Sequence, residues 1–376
     1  MKIQMFRPVY HIDECLENIR DCLEKGWTGK GYKTIEFEEV WKKYTGLPNA
    51  HFLTTGTAAL NLAVETLKEE CDWKDGDEII STPLTFVATN NCVLFSGLKP
   101  VFADVDDTLC LDPKSVLERI TDKTRAVIFV GLGGNVGNYY EILDICQKNG
   151  LKLILDAAHM AGTKVNGVFP GKDADAVIFS FHVTKNLSTA ESGMLCFKDE
   201  RLDQIVRNKS FNGISKNDAN TDKRLGGYNV KYLADAYNGN SIMASIALAQ
   251  VKYLDEENKI RRSICDKYDF AFASNNKIKL VKNGDGCESA RWLYQIIVDN
   301  RDALMSHLIK NGIDCGIHYP INTLYHMYSD QYGKCPHAEW YSEHILTLPL
   351  HILLSEYEID YVIQTVNEFL AGVKNV

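Results

Sequence analysis

The sequence predicts an α/β fold, with a mostly parallel central sheet in a large domain and a smaller C-terminal α+β domain. Short apolar runs alternate with helical patterns between about residues 51 and 197, as in parallel sheets covered by helices on both faces. The chain has 376 residues, more than one hydrophobic core usually supports. A long charged helical pattern follows residue 255, so we expect domains at 1–254, including N-terminal helices, and 255–376.

Apolar periodicity predicts the individual elements. Helical spacing occurs at 12–25, 33–44, 58–68, 86–95, 139–148, 242–254, 256–271, 301–310 and from residue 356. Short strands are expected at 51–54, 78–82, 100–105, 125–130, 151–155, 176–181, 194–197 and 292–298. In open α/β sheets ligands bind at the carboxyl ends of the strands, so functional residues are sought there.

Composition excludes several classes of function. The formal charge of −9, without a basic stripe, argues against a nucleic-acid partner. The 11 cysteines include no Cys-x-x-Cys pair, so neither a disulfide framework nor a metal site is expected. There is no apolar signal core and no run of about 18 apolar residues. We therefore expect a cytoplasmic protein that does not enter a membrane and that acts on small molecules.

Lys185 lies in a polar loop between two apolar runs. Ala176–Phe181 and Met194–Phe197 are short, and rich enough in branched and aromatic residues to be buried strands. Desolvation beside a strand end lowers the pKa of an amine and makes it nucleophilic towards carbonyls. Taken alone, the stretch fits an ordinary solvated lysine at least as well.

A second candidate site follows the strand at 51–54. The small turn Thr55-Gly56-Thr57 precedes a helix that begins at Ala58. Backbone N–H groups at the positive end of a helix dipole bind anions, most plausibly a phosphate here. Simple capping by Thr55 or Thr57 explains the same residues.

Asp156 directly follows the apolar run Leu151–Leu155, with His159 three residues further on. Its carboxylate should emerge at the same sheet edge, where it could cap a helix or bind a cationic ring nitrogen. Only one connecting segment and the strand at 176–181 separate Asp156 from Lys185. The two side chains could therefore face one pocket.

A glycine-rich loop favours a different chemistry. Gly131–Gly137 follows a strand and precedes a helix, and Asp156 ends the next strand, which is the layout of a dinucleotide-binding fingerprint. An NAD(P)-dependent oxidoreductase is therefore an alternative. However, its Gly-x-Gly-x-x-x-Gly spacing departs from the fingerprint, and this reading gives no role to Thr55-Gly56-Thr57 or Lys185.

Pyridoxal 5′-phosphate (PLP) chemistry gives each of these candidates a role. That cofactor needs an amine for a Schiff base, a carboxylate at the pyridine nitrogen, an anion site for the phosphate and an apolar or aromatic face against the ring. Lys185 and Asp156 fit the first two needs. Gly56-Thr57 with Ser180 fits the third, and Phe86 fits the fourth.

Motifs spread over about residues 27–350 carry a resemblance to a known family. They are Thr55-Gly56-Thr57-Ala58-Ala59-Leu60, Pro83-Leu84-Thr85-Phe86, Asp156-Ala157-Ala158-His159, Ser180-Phe181-His182-x-x-Lys185-Asn186 and His318-Tyr319-Pro320. Together, and in this order, they resemble the DegT/DnrJ/EryC1/StrS sugar aminotransferases. The resemblance implies the fold-type I PLP-dependent transferase architecture, which is like that of aspartate aminotransferase.

The resemblance also implies an activity and its residues. The activity is amino transfer, usually from glutamate, to a nucleotide-linked keto sugar, often a 4-keto-6-deoxyhexose, in surface polysaccharide or glycoconjugate biosynthesis. The implied assembly is a homodimer with shared active sites. Lys185 would be the catalytic, Schiff-base lysine. The implied cofactor-binding residues are Gly56, Thr57, Ala58, Phe86, Asp156, His159 and Ser180, and the implied substrate-binding residues are Thr28, Gly29, His318 and Tyr319.

Two segments depart from the family pattern. Ala190–Gly193 replaces Gly-Glu-Gly-Gly, so a turn with positive φ at residue 190 or 192 is not expected. The family's Gly-Tyr-Asn/Lys-x-x-Met motif, which supplies a phosphate ligand from the partner subunit, is matched only by Ala234–Gly239. Asn238 is our candidate for that cofactor ligand, and Asn229 and Asn240 are alternatives.

Lys185 also separates two branches of chemistry, because relatives with histidine at this position dehydrate the sugar at C3. Histidine cannot begin the reaction by forming a Schiff base, so we expect amination here, with a PLP-dependent dehydratase as an alternative. A catalytically silent sensor is a further class. The departures at 234–239 and at Gly131–Gly137, where relatives usually have histidine, suggest a keto substrate that is atypical for the family.

Overall fold

The computed structural model describes residues 2–215 and 228–372; the remaining residues of the two predicted domains lie outside the described ranges. Its helices are α1 (Ile12–Glu24), α2 (Tyr32–Thr45), α3 (Gly56–Glu70), α4 (Ala88–Phe95), α5 (Pro113–Arg119), α6 (Tyr139–Lys148), α7 (Glu200–Lys209), α8 (Ser241–Gln250), α9 (Leu254–Phe272), α10 (Arg301–Lys310), α11 (Pro336–His344) and α12 (Glu356–Gly372).

The strands are β1 (His51–Leu53), β2 (Glu78–Ser81), β3 (Lys99–Phe102), β4 (Thr124–Val130), β5 (Lys152–Asp156), β6 (Lys164–Val165), β7 (Ala176–Ser180), β8 (Gly193–Phe197), β9 (Ile214–Ser215), β10 (Asn229–Val230), β11 (Lys279–Leu280), β12 (Cys287–Glu288), β13 (Tyr294–Ile297) and β14 (Ile345–Leu348).

A seven-stranded sheet in the order β1-β8-β7-β5-β4-β2-β3 forms the centre of the protein. The pairs among β3, β2, β4, β5 and β7 are parallel, and β8 is antiparallel to both β7 and β1. Because two antiparallel steps restore the direction, β1 runs the same way as β7. The carboxyl ends of β1, β2, β4, β5 and β7 therefore meet at one edge. The predicted mostly parallel α/β fold is confirmed.

Strand β7 illustrates why these segments are buried on both faces. Val177 and Phe179 belong to the apolar cluster on one side of the sheet, and Ala176 and Ile178 belong to the cluster on the other side. Side chains alternate between faces along a strand, so both faces need apolar residues when both are covered. Asp156 is paired in register with Ile178 at the end of this apolar layer.

A second sheet, with the order β11-β13-β14, packs with α9, α10 and α12 around a separate apolar cluster. Ile3, from the other end of the chain, joins this cluster and pairs with Ile313. Asp107, in the loop after β3, accepts hydrogen bonds from Lys279 and Tyr341 and so ties the two units together. The boundary at residue 255 stays a proposal.

A buried carboxylate fixes β1 against its neighbours. Glu38 accepts hydrogen bonds from the Phe52 N–H at 2.8 Å and from Arg207 Nη1 at 2.9 Å, and its Oε1 lies 3.1 Å from His51 Nδ1. Burial alone would raise the pKa of Glu38, but these partners outweigh it and lower the pKa to about 2. Glu38 is therefore ionised in the folded protein.

The turn after the loop that carries Lys185 differs from our expectation. Ala190 has a φ of 82°, so the positive φ that we did not expect here is present, whereas the described Ser192 has none. The Phe181 and Thr189 N–H groups donate to the Ser192 and Phe181 carbonyls, and these bonds hold the turn in shape. The left-handed conformation is thus kept in spite of the alanine Cβ.

Candidate active site

A cavity of about 410 Å³ opens at the carboxyl edge of the large sheet. Many of the side chains that line it are aromatic, and its polar groups come from the ends of several strands. It brings together most of the predicted site residues, namely Gly56, Thr57, Phe86, Asp156, His159, Ser180, Lys185, His318 and Tyr319. Residues that are distant in sequence meet here because the strands that carry them end at the same edge.

Lys185 projects from the loop that follows β7. Its N–H donates to the His182 carbonyl at 2.8 Å, which fixes a tight turn, and its Nζ lies 3.4 Å from the ring centroid of Trp292. Burial lowers the pKa of the amine to about 7, although the charge of Asp156 opposes this shift. About half of the amine would then be neutral, and so nucleophilic, near neutral pH.

Asp156 ends β5 and is 4% exposed. Thr89 Oγ1 donates to its Oδ2 at 2.8 Å, and the Ala158 N–H donates to its Oδ1 at 3.1 Å. Burial raises the pKa of this carboxyl, against the effect of the two hydrogen bonds and of the Lys185 charge. Within residues 2–215 and 228–372 it has no ion-pair partner. A cationic group in the cavity would supply the missing counter-charge.

The start of α3 presents free N–H groups to the cavity. Thr55 Oγ1 accepts from the Ala58 N–H at 2.9 Å, so the capping role considered for Thr55 is confirmed. The N–H groups of Gly56 and Thr57 have no acceptor in the described part of the chain, as expected for a helix start. A Cβ on Gly56 would lie 3.0 Å from Ser180 Cβ, so glycine allows the helix to approach β7 closely.

His159 is neutral and has a defined tautomer. The Gly133 N–H donates to its Nδ1 at 3.2 Å, so Nδ1 is the acceptor and Nε2 carries the hydrogen. Nε2 lies 3.4 Å from Tyr319 Oη, and the imidazole stacks on Trp292 with a centroid distance of 3.8 Å. Burial, together with the Lys185 charge, keeps the pKa of His159 well below its usual value.

The remaining predicted residues of the cavity form its outer wall. Phe86 is 54% exposed, and its ring centroid lies 5.9 Å from that of Tyr319. His318 Nδ1 is 3.0 Å from Thr347 Oγ1, and burial lowers the pKa of His318 to about 4. His159 and His318 are therefore both uncharged near neutral pH.

The structure does not bring four predicted residues to this cavity. The Thr28 and Gly29 carbonyls accept from the Ser241 N–H at 3.0 and 2.9 Å, which holds both residues against the start of α8. Asn238 Oδ1 accepts from the Ser210 hydroxyl, and its Nδ2 is buried with no hydrogen-bond partner among the described residues. The N–H of Ala58 is used by the cap. Their binding roles stay predictions.

Two residues that the sequence patterns did not single out complete the site. Thr89 holds Asp156, and Trp292 lies beneath the Lys185 amine. A signal for Thr89 was present, because it lies four residues after Thr85 of the predicted motif, and their hydroxyl oxygens are 3.1 Å apart. Trp292 approaches from the C-terminal unit, and nothing in its local sequence indicates this contact.

The space beside the glycines of the loop at 131–137 is occupied by other parts of the protein. A Cβ on Gly131 would lie 2.1 Å from Met160 Sδ, and one on Gly134 would lie 2.8 Å from Ser289 Oγ. The loop therefore needs glycines for close packing against its own chain. This explains the pattern without a dinucleotide.

In the part of the chain that the structure describes, one cavity contains an amine that can lose its proton near neutral pH, a buried carboxylate without a counter-ion and a helix start with free N–H groups. Each matches one part of PLP: the aldehyde, the ring nitrogen and the phosphate. With a mostly parallel seven-stranded sheet, they define a fold-type I PLP-dependent enzyme. The particular family follows from comparison with known proteins.

The chain belongs to the DegT/DnrJ/EryC1/StrS aminotransferase family, whose sequence profile matches residues 10–367. It is a PLP-dependent aminotransferase of the sugar aminotransferase type. It is 33% identical over 373 residues to the spore coat polysaccharide biosynthesis protein SpsC of Bacillus subtilis, covering 96% of this chain and 95% of SpsC.

Solved structures agree with this assignment. The aminotransferase TlmJ from Streptoalloteichus hindustanus superposes with a TM-score of 0.92 at 28% identity, covering 100% of both chains. The putative sugar aminotransferase Spr1654 from Streptococcus pneumoniae, in its PMP-form, gives a TM-score of 0.90 at 30% identity, covering 98% of this chain and 99% of that one. The prediction of family and fold class is confirmed.

Across the described ranges, every helix is too short or too polar to cross a lipid bilayer. The same residues include no group of three or more potential metal ligands arranged to hold an ion.

Proposed function

We propose that this enzyme transfers an amino group from glutamate to a nucleotide-linked keto sugar, with a 4-keto-6-deoxyhexose as the first candidate, in the biosynthesis of a surface polysaccharide or glycoconjugate. The observation that carries the proposal is the shared cavity of Lys185 and Asp156, with the N–H groups of α3 on its wall. The similarity to SpsC, which is named as a polysaccharide biosynthesis protein, supports the biological context.

The proposed cofactor site uses two N–H groups that have no acceptor, and a carboxylate that has no ion-pair partner, in the described part of the chain. Gly56 and Thr57 N–H with the Ser180 hydroxyl would hold the phosphate, and Asp156 would pair with the ring nitrogen. Lys185 would be the covalent attachment point. Phe86 and His159 would lie against the ring. When bound, PLP supplies an electron sink that makes the proton on the substrate carbon removable.

The chain's own residues prepare this chemistry. Thr89 and the Ala158 N–H orient the Asp156 carboxylate, and the two bonds oppose its protonation. Lys185, with its pKa lowered to about 7, can both accept and release a proton near neutral pH. The neutral His159, with hydrogen on Nε2, is a donor towards the cavity wall. These protonation states suit proton transfer near neutral pH.

A homodimer with shared active sites is part of the proposal. In the described chain, the cavity is lined by one lysine, Lys185, and by no arginine, although phosphate and carboxylate groups need counter-charges. Large apolar side chains on α1 and just after it, Ile12, Leu16, Leu23 and Trp27, are each more than half exposed, which supports an interface. Thr28, Gly29 and Asn238 would act across it.

A cytoplasmic location is also proposed. All 11 cysteines are free, and most of them are buried, which supports a reducing compartment. This part of the proposal is tested by fractionating cells that express the tagged protein from its own promoter. Recovery outside the cytoplasm would contradict it.

The substrate is tested by incubating the holoenzyme with glutamate and a panel of nucleotide keto-sugars and weighing the products by mass spectrometry. We expect 2-oxoglutarate and an aminated sugar nucleotide in equal amounts. Loss of water from the sugar without nitrogen uptake would instead identify a dehydratase. Ordinary efficiency on a common 4-keto-6-deoxy sugar would remove the hypothesis of an atypical substrate.

Lys185→Ala tests the catalytic assignment. The wild-type holoenzyme should have a visible absorbance band that borohydride bleaches while tagging Lys185, and the variant should fold normally but lack both the tag and the product. Lys198→Ala is the matched control, because Lys198 pairs with Asp173 at the surface, away from the cavity. Product formation by Lys185→Ala at a wild-type rate would refute the assignment.

A further inference from the structure

Trp292 joins the catalytic loop to the C-terminal unit. It is 4% exposed, its Nε1–H donates to the Thr184 carbonyl at 2.7 Å, and its ring centroid lies 3.4 Å from Lys185 Nζ. The hydrogen bond is made to the residue immediately before the lysine. The orientation of the indole ring and the position of the amine are therefore fixed by the same contact.

Other rings hold the indole from its remaining sides. The Phe6 ring is nearly parallel to it, with 6° between the planes and a centroid distance of 5.5 Å. The imidazole of His159 stacks at 3.8 Å, and His318 meets the indole edge at 5.6 Å. With an aromatic support that comes from three different segments, Trp292 cannot turn away from the lysine without disturbing the cavity wall.

We propose that Trp292 is a positioning residue for the reaction: its indole face seats the free Lys185 amine as an ammonium ion beside the cavity. This inference rests on the proposed role of Lys185. The reaction requires that the amine be free for part of each cycle, so that it can carry a proton. An aromatic face attracts a cation but accepts no proton, so it can hold the ammonium group without competing for that proton.

Among the residues that the structure describes, the charged groups around the Lys185 amine leave its ammonium form without another stabilising contact, so the contact with the Trp292 ring is needed. Burial disfavours the ammonium form, and the one carboxylate near it in the cavity interior, Asp156, is turned towards Thr89 and Ala158. The other titratable groups of the cavity wall are His159, His182, Glu191, His318 and Tyr319, and His182 pairs with Glu191 at 3.3 Å. Behind the lysine loop lie Arg7, Glu257, Arg261 and His351. In the described chain, no acceptor forms a hydrogen bond with Lys185 Nζ.

The decisive experiment changes the electron density of the ring and leaves its size nearly constant. All five tryptophans are replaced by a multiply fluorinated tryptophan during expression, and the pKa of Lys185 in the cofactor-free protein is measured by competitive labelling and mass spectrometry. Trp292 is the one tryptophan that lines the cavity in the described structure. We expect the pKa of Lys185 to fall by about one unit, because fluorine weakens the attraction of the face for a cation.

An unchanged or raised pKa would overturn the proposal. The sign is informative because a ring that acted only by excluding water would have the same effect with or without fluorine. Labelling requires neither cofactor nor substrate, so this result is independent of whether the proposed sugar substrate is correct. The fluorinated protein should unfold at nearly the same temperature as the natural one.

Two substitutions extend the test. Trp292→Phe keeps an aromatic face but removes the indole N–H, whereas Trp292→Leu removes the aromatic face. If the amine is equally exposed to solvent in both variants, the pKa of Lys185 should fall less in Trp292→Phe than in Trp292→Leu. In both variants the acidic limb of the kcat profile should shift with the measured pKa. Trp340→Leu is the control, because Trp340 lies near Lys279 on the surface and should leave Lys185 unchanged. If Trp292→Leu does not fold, the fluorinated protein and Trp292→Phe still decide the question.

Discussion

Thr89, which is 1% exposed, donates its hydroxyl hydrogen to Oδ2 of Asp156, which is 4% exposed, at 2.8 Å. Thr89→Val removes this bond with little change of volume, so the variant isolates the polar contribution. The pKa of Asp156 is raised by burial and is held down in part by Thr89. Without the hydroxyl, the ionised carboxylate loses one of its two described hydrogen bonds, and its pKa should rise further.

The magnitude follows from the charge state of the acceptor. A hydrogen bond to an ionised group contributes about 2 kcal/mol to stability, and one between neutral groups contributes about 1 kcal/mol. Thr89→Val should therefore lower the free energy of unfolding by about 2 kcal/mol where Asp156 is ionised and by about 1 kcal/mol where it is protonated. The difference of about 1 kcal/mol corresponds to a further rise of about 0.7 unit in the pKa of Asp156.

The sign of the pH dependence is fixed by linkage. A carboxyl whose pKa is higher in the folded than in the unfolded protein makes the folded state bind more protons, so its contribution to stability falls as pH rises towards the folded pKa. Because Thr89→Val raises the folded pKa further, it should enlarge the total loss of stability between acidic and alkaline pH. Urea unfolding of the cofactor-free variant at about pH 8 and at about pH 5 measures it.

Thr66→Val is the matched control for this comparison. Thr66 lies on α3, is fully buried and has no hydrogen-bond partner for its Oγ1 among the described residues. Its replacement should leave the free energy of unfolding unchanged or raise it by up to about 1 kcal/mol, at both pH values alike. The reasoning is refuted if Thr89→Val behaves like this control, or if its effect is larger at the acidic pH.

The remaining predictions concern the scaffold. Ala190→Gly should raise the free energy of unfolding by about 1 kcal/mol in urea titrations, because alanine at a φ of 82° is strained, and no gain would mean that the turn relaxes. Glu38→Gln should lower it by about 3 kcal/mol near neutral pH, and by much less as pH falls towards the Glu38 pKa of about 2; an equal loss at all pH values would contradict the linkage. Gly131→Ala should lower it by about 2 kcal/mol and lower the melting temperature through the clash with Met160, whereas a neutral effect would reopen the ligand-binding interpretation of the loop.

Much of the large sheet could be predicted, because its strands are apolar on both faces and are separated by helices of regular period. The predicted strands at 125–130 and 151–155 coincide with β4 and β5 to within one residue at each end. Apolar runs of this kind have few alternatives to a buried parallel sheet. Strand order then decides which loops meet, and that order is not encoded in any single segment.

In the described part of the chain, three helices and six short strands were not predicted. Helix α7 has a low mean hydropathy, and Leu202 and Val206 are buried on one narrow face. Helix α5 is short, although Asp112 caps it and Pro113 occupies its first turn, which is a recognisable start signal. Elements that bury only a few side chains leave weak periodicity, so tertiary packing rather than sequence pattern determines them.

The candidate site divides in the same way. Lys185 and Asp156 could be predicted because polar residues directly after apolar strands must emerge at the sheet edge. Trp292 could not, since its approach depends on how the C-terminal unit packs against the large sheet. Local patterns identify what a strand end can present. They do not identify which side chain from a distant unit will be placed against it.

The glycine loop shows how one pattern can arise from two physical causes. A glycine at a strand-to-helix turn is required when a ligand phosphate approaches the backbone, and equally when another part of the chain does. Gly131 faces Met160 and Gly134 faces Ser289, so the second cause applies here. Gly56 faces Ser180 and also borders the cavity, so at that turn the close approach brings two strand ends to the proposed phosphate site. What distinguishes the turns is whether the N–H groups are left free, which depends on residues far away in the sequence.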